Sequence, residues 1–250
     1  MLPSFFSEKR KEINCILRLA FVGTNYAGWQ KQPNVPTVQG ILEEKLSVIF
    51  KNPVKVIGCC RTDAGVHAED YVANFKVPKD FEESKLLKAL NSTLPKDIGV
   101  YEVKKTTESF NARYNVREKV YLYRIWNSPV RNPFLAPYVW HFPRKLDPIL
   151  MEKALRLIKG RHDFSSFCKL EENKNTILEI DVDFKYKGQL IEIRFRGKYF
   201  LRHMVRRLTA AVIKTGEGKL SLHQLENHLR GVPFTQTAPA HGLTLERVTL

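Results

Sequence analysis

The same order of strand and helix patterns occurs in both halves of this chain, and that order constrains the fold more than any other feature. Each half reads strand, helix, strand, strand, helix, strand, although the two halves show no evident sequence repeat. Such mixed patterns are typical of antiparallel sheets with helices packed on one face. We therefore predict an α+β fold of two similar domains, residues 1–108 and residues 109–250, each an antiparallel sheet with helices on one face.

In the first half, polar and apolar residues alternate over 13–21, which predicts a half-buried strand. Thr37 precedes apolar residues at helical spacing and is predicted to cap a helix. An apolar run, 54–60, predicts a buried strand with the thiols of Cys59 and Cys60 on opposite faces. Two further strands and a helix are predicted at 71–77, 100–104 and 84–90.

In the second half, Tyr121 and Tyr123 share one face of a strand predicted over 120–126. Asp147 and Pro148 form a typical helix start. The other predicted elements are a hairpin around Gly188, a helix over about 199–214, a helix capped by Ser221 and Gln224, and a strand over 243–250.

The formal net charge of +15 is concentrated in the second half, with +3 over residues 1–108 and +12 over residues 109–250. A basic excess of this size indicates a polyanionic partner, most often nucleic acid. A basic surface that serves only solubility is the alternative that composition leaves open.

Several classes of protein are disfavoured by the sequence. No apolar stretch approaches the length of a membrane span, and residues 1–12 lack the apolar segment of a secretion signal. The four cysteines form no C-x-x-C pair and have no zinc spacing with histidines, so we expect reduced thiols in a cytoplasmic protein. Phosphate-loop and dinucleotide motifs are absent.

Asp63 lies in the octet Arg61-Thr62-Asp63-Ala64-Gly65-Val66-His67-Ala68, on a tight turn after a predicted strand. Loops of this kind often carry active groups because a rigid element supports them. An Asp beside a Gly is also a common turn-former, which is the alternative. The nearby Glu69 and Asp70 are expected to be solvated rather than metal-bound, which disfavours a two-metal nuclease.

The octet closely resembles the active-site loop of the TruA family of tRNA pseudouridine synthases. Other segments resemble motifs of that family in the same order, and together they cover nearly the whole chain: 26–30, 37–39, 110–113, 121–123, 164–167, 200–206 and 239–245. The resemblance implies a pseudouridine synthase fold with the active-site cleft between the two sheets, and a tRNA-modifying isomerase. It also implies a homodimer and a target uridine at position 38, 39 or 40 of the anticodon stem-loop.

The resemblance also implies the roles of three residues: Asp63 is the catalytic nucleophile, Arg206 pairs with it, and Tyr121 stacks on the target base. An ionised carboxylate can form a covalent intermediate, and a nearby arginine favours that ionised form. Tyr121 could also remove the C5 proton as a base or relay. The isomerisation gains no atoms, so no redox or metal cofactor is required. A core tyrosine and an exposed helix arginine are the alternatives for Tyr121 and Arg206.

Basic residues are predicted to bind the RNA. Arg61 is placed to keep the target nucleotide extruded, and phosphate contacts are expected to supply the energy of extrusion. The basic residues predicted to cluster near the site are Arg194, Arg196, Lys198, Arg202, Arg206, Arg207 and Lys214. Of these, Lys198, Arg202 and Arg207 are assigned to substrate binding, together with Arg61 and Tyr121. The segment 169–175 is a further candidate for RNA contact.

His67 is predicted to hydrogen-bond the loop rather than to act in catalysis. Two other functions stay open: a non-catalytic tRNA-binding protein or chaperone, and a nucleic-acid hydrolase. The sequence leaves open whether Asp63 attacks C1′ of the sugar or C6 of the base.

Overall fold

A computed structural model describes residues 12–170, 172 and 174–250 of the chain. Residues 1–11, which make up most of the segment predicted to lack a secretion signal, lie outside the described residues, as do residues 171 and 173 of the predicted RNA-contacting segment. The first half forms its six elements in the predicted order. They are β1 (Ile13–Phe21), α1 (Val38–Phe50), β2 (Val56–Gly58), β3 (His67–Val77), α2 (Glu83–Thr93) and β4 (Ile98–Thr106).

The second half contains two short strands, β6 and β7, that were not predicted, because three or four residues are too few to show a period. Its elements are β5 (Glu118–Asn127), β6 (Trp140–Phe142), α3 (Pro148–Ile158), β7 (Gly160–Asp163), β8 (Ile177–Lys187), β9 (Leu190–Gly197), α4 (Met204–Gly216), α5 (Leu222–Leu229) and β10 (Leu243–Thr249). None of the helices in the described part of the chain is long and apolar enough to cross a membrane.

The α+β fold with a mostly antiparallel sheet is confirmed, but the strands of the two halves join into one sheet. Its order is β4-β1-β3-β10-β5-β9-β8-β7, with β2 paired to β3 and β6 to β5. β10 joins the halves, because it pairs in parallel with β3 and antiparallel with β5. Its backbone thereby covers edges that would otherwise stay open. As a result, the loop that precedes β3 lies within reach of β5.

Three predicted helix starts are confirmed by their caps. The Thr37 side chain accepts from the backbone N–H of Gly40, and Asp147 accepts from two N–H groups at the start of α3. Ser221 and Gln224 form the predicted reciprocal capping box. Each such cap typically contributes about 1 kcal/mol, so local sequence alone defines where these helices begin.

The strand predicted over 54–60 is shorter and less buried than expected. Only Val56–Gly58 forms a strand, and Ile57 is 40 % exposed because β2 pairs with β3 alone. The chain then leaves the sheet, and the Cys59 and Cys60 sulfur atoms lie 3.8 Å apart instead of on opposite faces. The predicted separation of the two thiols is therefore wrong, since it required both residues to lie in a strand.

The helix predicted over 199–214 begins five residues later, at Met204. The preceding residue, His203, has φ 65°, and this left-handed conformation cannot continue as an α-helix. Residues 199–203 therefore form a loop. The first turn of α4 then carries Arg206 into the cleft.

Candidate active site

Asp63 occupies the first position of a four-residue turn that leads into β3. The N–H of Val66 donates to the Asp63 carbonyl at 3.2 Å, and Gly65 has φ +78° at the third position. A turn with positive φ at that position favours glycine, which explains this residue of the octet. The turn leaves the Asp63 side chain 23 % exposed at the mouth of the cleft.

The loop that precedes α1 packs directly against this turn. The N–H of Trp29 donates to the Thr62 carbonyl at 3.2 Å, and the Trp29 ring stacks on Tyr71 with a centroid distance of 4.0 Å. Gly28, with φ +92°, lies against the backbone of Thr62 and Asp63, where a Cβ atom would be 3.1 Å from the Asp63 carbonyl carbon. The position of the carboxylate therefore depends on a second loop, more than 30 residues earlier in the chain.

Arg206 holds one oxygen of the Asp63 carboxylate. Its Nη1 lies 2.8 Å from Oδ2, and its Nε donates to the Ala238 carbonyl, also at 2.8 Å. Within the described residues, Oδ1 accepts no hydrogen bond. The structure thus brings together the two residues that sequence reasoning paired, and it leaves one carboxylate oxygen available.

Tyr121 lies on β5, is 7 % exposed, and is close enough to Asp63 for the charge of that residue to act on its hydroxyl. Its hydroxyl donates to Cys60 Sγ at 3.4 Å, and its ring meets Phe200 edge-on with centroids 5.1 Å apart. Burial first, and then the neighbouring Cys60, raise the pKa of Tyr121 well above its ordinary value. The phenol is therefore neutral in the resting site and donates to the Cys60 sulfur atom.

His203 is a site residue that sequence reasoning missed. Its Nε2 lies 3.7 Å from Asp63 Oδ2. Burial lowers the pKa of His203, and the neighbouring arginines add to this effect, although Asp63 opposes it. The only signal in the sequence was its position inside the segment 200–206, three residues before Arg206.

The family comparison agrees with this geometry. The family model for tRNA pseudouridine synthase matches residues 19–115 and 154–249. A tRNA pseudouridine synthase A of Aquifex aeolicus is 54 % identical over 241 residues, which cover 95 % of this chain and 99 % of that protein. The protein of the same name from Dictyoglomus thermophilum is 40 % identical, covering 94 % and 99 %. The chain belongs to the tRNA pseudouridine synthase family.

It is therefore an isomerase that converts uridine to pseudouridine in tRNA, and the resemblance of the octet and the other segments is confirmed. Membership of an isomerase family also disfavours the two other functions that the sequence left open, a non-catalytic tRNA-binding protein and a hydrolase. The roles of individual residues stay predictions.

The basic residues predicted to bind RNA separate into two groups. Arg61, Lys198 and Arg202 are exposed, and the structure pairs none of them with a carboxylate in its described part. Arg207 differs, because its Nη1 donates to the Cys168 carbonyl at 2.6 Å and so holds the turn at 165–168. This bond directs the guanidinium of Arg207 toward the protein.

The predicted clustering of three other cations near the site is wrong. Arg194 and Arg196 alternate with the buried Ile193 and Phe195 of β9, so they lie on the opposite face of the sheet from Tyr121. Arg194 pairs there with Glu246 at 2.9 Å, and Arg196 pairs with Asp181 at 3.0 Å. Lys214 lies eight residues beyond Arg206 on α4, about 12 Å along the helix axis. Successive side chains of a strand point to opposite faces of the sheet, so both arginines lie away from the site although they are close to it in sequence.

His67 ties three segments of the synthase together. Its Nδ1 accepts from the N–H of Gly23 at 3.0 Å, so the proton is on Nε2, which lies 3.1 Å from the carbonyls of Pro137 and His241. Burial lowers the pKa of His67 and keeps the ring neutral. These contacts support the predicted structural role.

Asp70 is not solvated as expected. It accepts from Arg18 at 2.8 Å and from the N–H of Val248 at 3.0 Å, and it also accepts from the hydroxyl of Tyr101. Glu69 pairs with Arg124 at 3.0 Å. Among the described residues, no three His, Cys, Asp or Glu side chains are grouped as metal ligands. Both carboxylates therefore pair with arginines of neighbouring segments, Arg18 on β1 and Arg124 on β5.

Proposed function

We propose that this synthase isomerises uridine at positions 38, 39 and 40 of the tRNA anticodon stem-loop, with Asp63 as the nucleophile. The main support for Asp63 as the nucleophile is its pair with Arg206, whose Nη1 lies 2.8 Å from Asp63 Oδ2. An ionised carboxylate with one oxygen held and the other available is suited to covalent catalysis. The guanidinium contact orients that nucleophile because its bond to the Ala238 carbonyl fixes its own position.

The reaction needs a bond to break, the base to turn and a new bond to form. Attack by Asp63 on C1′ or on C6 assists cleavage of the bond between N1 and C1′. The uracil then turns so that C5 faces C1′ and joins it. Finally the C5 proton leaves, and we assign its removal to Tyr121, which also stacks on the base.

The target nucleotide must leave its stack to reach Asp63, at a cost of a few kcal/mol. Arg61, Lys198 and Arg202 are exposed and form no ion pair within the described residues, which supports phosphate binding as the source of that energy. Arg61, two residues before Asp63, is placed to hold the extruded nucleotide.

The choice of positions 38, 39 and 40 is supported by the resemblance to the TruA family, and the same resemblance supports a homodimer. A tRNA substrate supports a cytoplasmic location. Sedimentation equilibrium of the purified synthase at micromolar concentration tests the dimer, which predicts twice the 29.0 kDa mass of one chain.

Tritium release from C5 of uridine tests both parts of the proposal, because formation of the new carbon–carbon bond displaces that hydrogen. Four tRNA transcripts are used: three keep uridine at only one of positions 38, 39 and 40, and the fourth has none. Asp63→Ala is expected to lower release by about 10³-fold or more while tRNA binding persists.

Asp80→Ala is the matched control, because Asp80 is an exposed carboxylate that pairs with Lys105. Its rate should equal that of the wild type. If Asp63→Ala released tritium near the wild-type rate, Asp63 would not be the nucleophile. Equal release from the transcript without the three uridines would instead contradict the proposed target positions.

A further inference from the structure

A buried lysine and a pair of thiols lie directly behind Tyr121, and the reaction as described so far does not use them. Lys119, Tyr121 and Tyr123 alternate along β5 and so face the same side of the sheet. Lys119 is only 5 % exposed, and its ammonium group has no carboxylate within ion-pair distance among the described residues. Its nearest recorded aromatic neighbour is Tyr199, at 5.9 Å from the ring centroid.

A buried ammonium group without a counter-ion costs several kcal/mol. The group that can supply the opposite charge is the thiol of Cys60. The pKa of Cys60 is lowered to about 7 by the hydrogen bond from Cys59 first, and also by Lys119 and Tyr121. Close to neutral pH, a thiolate at this position both balances Lys119 and accepts the hydrogen bond from Tyr121, whose oxygen lies 3.4 Å from the sulfur.

We propose that Cys60 is the proton acceptor behind Tyr121, so that Lys119, Cys60 and Tyr121 form a relay for the C5 proton. The inference rests on the proposed role of Tyr121 and extends it. Tyr121 Oη takes the C5 proton while its own proton passes to Cys60 Sγ, which changes from thiolate to thiol. As the electron pair of the broken C5–H bond forms the C5–C6 double bond, the C6–N1 double bond of the intermediate opens toward N1, and N1 takes up a proton from solvent.

The relay answers a difficulty in the chemistry of Tyr121. A neutral phenol in a buried site cannot accept a proton unless it loses its own at the same time. The sulfur atom provides the destination, and Cys60 can return the proton to water through a cleft of about 150 Å³ that it lines with Arg61 and Arg113. Cys60 therefore acts on the substrate only through Tyr121, as a positioning and proton-accepting residue.

The relay predicts how the rate depends on pH. Because the thiolate is the active form, the rate of tritium release should rise as the pH rises through about 7 and then level off. The groups that act on Cys60 are Cys59 beside it, Tyr71 on β3, and Lys119 and Tyr121 on β5, while Arg61 and Arg113 line the same cavity. Asp63 acts on the partner in the relay, because its charge contributes to raising the pKa of Tyr121.

Single-turnover tritium release by Cys60→Ala and Cys60→Ser tests the relay. Both variants should lose about 10²-fold in rate. They should also lose the rise near pH 7. Serine can still accept the Tyr121 hydrogen bond but stays protonated at this pH, so restoration of the wild-type rate and profile by Cys60→Ser would overturn the relay. Cys15→Ala is the control, because burial in β1 raises the pKa of that thiol to about 12.

A tRNA that carries 5-fluorouridine at the target provides the second measurement, since that base has no C5 proton to remove. Cys60→Ala should cleave the N1–C1′ bond and rearrange this base at the wild-type rate. An equal slowing with both substrates would mean a structural role and would overturn the relay. Cys59→Ala leaves Cys60 in place and should move the rise in rate to higher pH, and an unmoved profile would also contradict the relay.

The outcomes separate this inference from the proposed function. Asp63→Ala should fail with both substrates, because the nucleophile acts before the C5 proton leaves. If Asp63→Ala fails while Cys60→Ser behaves as the wild type, Asp63 keeps its role and the relay is wrong. The ultraviolet absorbance of the thiolate is followed against pH in the wild type and in Cys60→Ala, and it shows without any substrate whether Cys60 is ionised. If the wild type shows no more thiolate absorbance than Cys60→Ala near neutral pH, the relay is wrong.

Discussion

The guanidinium of Arg206 performs two tasks at once, and its planar shape makes this possible. One nitrogen binds Asp63 Oδ2 and another binds the Ala238 carbonyl, each at 2.8 Å. A lysine ammonium at the same place would be a point charge on a flexible stem. It could neutralise the carboxylate, but it would not fix the direction in which Oδ1 points.

Arg206→Lys should therefore lower kcat by about 10-fold to 10²-fold with a smaller change in KM, since the orientation of the nucleophile is lost while the charge remains. Steady-state tritium release measures both constants. Arg207→Lys, on the next residue of α4, is the control because that arginine binds the Cys168 carbonyl instead. An equal loss of kcat in the two variants would show that the effect is general to the helix.

His67 links protonation to stability. Its folded pKa is lowered by burial, so it lies below the value of about 6.5 in the unfolded chain. As the pH falls, the unfolded chain binds the proton first. The stabilisation from neutral His67 is thus complete above about pH 6.5 and is lost as the pH falls toward the folded pKa.

His67→Ala should lower the free energy of unfolding by about 2 kcal/mol at pH 8, because the partners of the ring lose their hydrogen bonds. Below pH 6.5 its stability should fall less steeply than that of the wild type. Denaturant titrations between pH 5 and 8 measure both effects, with the exposed His223→Ala as control. The stability of His67→Ala should still depend on pH, since burial also lowers the pKa of His203 and of His241.

Among the structural elements, the loop before α1 and the loop before β3 pack directly against each other. They meet where Gly28 has no side chain, and the N–H of Gly65 donates to the Tyr26 carbonyl at 3.4 Å. Backbone contact of this kind couples the two loops closely. A change in the first loop should therefore reach the carboxylate carried by the second.

Gly28→Ala should reduce kcat by 10-fold or more, because a methyl group would displace the backbone at Thr62 and Asp63. The strain of a positive φ alone costs on the order of 1 kcal/mol. Gly218→Ala controls for that strain, since Gly218 has φ +73° with open space around its Cβ position. Tritium release and thermal unfolding should show a loss of activity only for Gly28→Ala. Normal activity of that variant would mean that the Asp63 turn holds its shape independently.

The elements that sequence patterns predicted well are those with local signals. β1, α1 and α3 have an uninterrupted period or a clear cap, and their positions follow from these. The start of α4 was missed because the left-handed conformation of His203 leaves no mark in a hydrophobic pattern. The contact between Cys59 and Cys60 was missed because β2 ends at Gly58, where a Cβ atom would collide with Trp29.

Sequence reasoning selected Asp63, Tyr121 and Arg206 from motifs, and the structure brings all three into one cleft. It could not select Lys119 or Cys60, since a lysine in a basic chain and a cysteine after an apolar run have no unusual spacing. Their importance depends on burial and on the absence of a carboxylate near Lys119 in the described residues. Both are properties of the folded chain.

The distribution of charge predicts how the whole molecule binds RNA. Arg194 is neutralised by Glu246 on the sheet face away from Tyr121, while Lys198 and Arg202 are exposed and form no ion pair in the part of the chain that the structure describes. Exposed cations that contact phosphates release counterions, so binding should weaken steeply with salt. The net charge of +15 alone does not identify which cations take part.

Arg202→Ala should weaken tRNA binding and reduce the slope of log K against log salt concentration by about 1. Fluorescence anisotropy of labelled tRNA over a range of salt concentrations measures the slope. Arg156→Ala is the matched control, because Arg156 is exposed but pairs with Glu152 on α3. A slope that is unchanged by Arg202→Ala would remove this residue from the phosphate contacts.

The central place of β10 in the sheet affects how the molecule is made. This strand follows the other nine in chain order, yet it is the one that pairs with both β3 and β5. A nascent chain that has not yet released residues 243–249 from the ribosome already contains Asp63, Tyr121 and Arg206, but it lacks the one described strand that pairs with both halves of the sheet. We therefore expect the sheet that positions Asp63 and Tyr121 to be completed only when the end of the chain has been released.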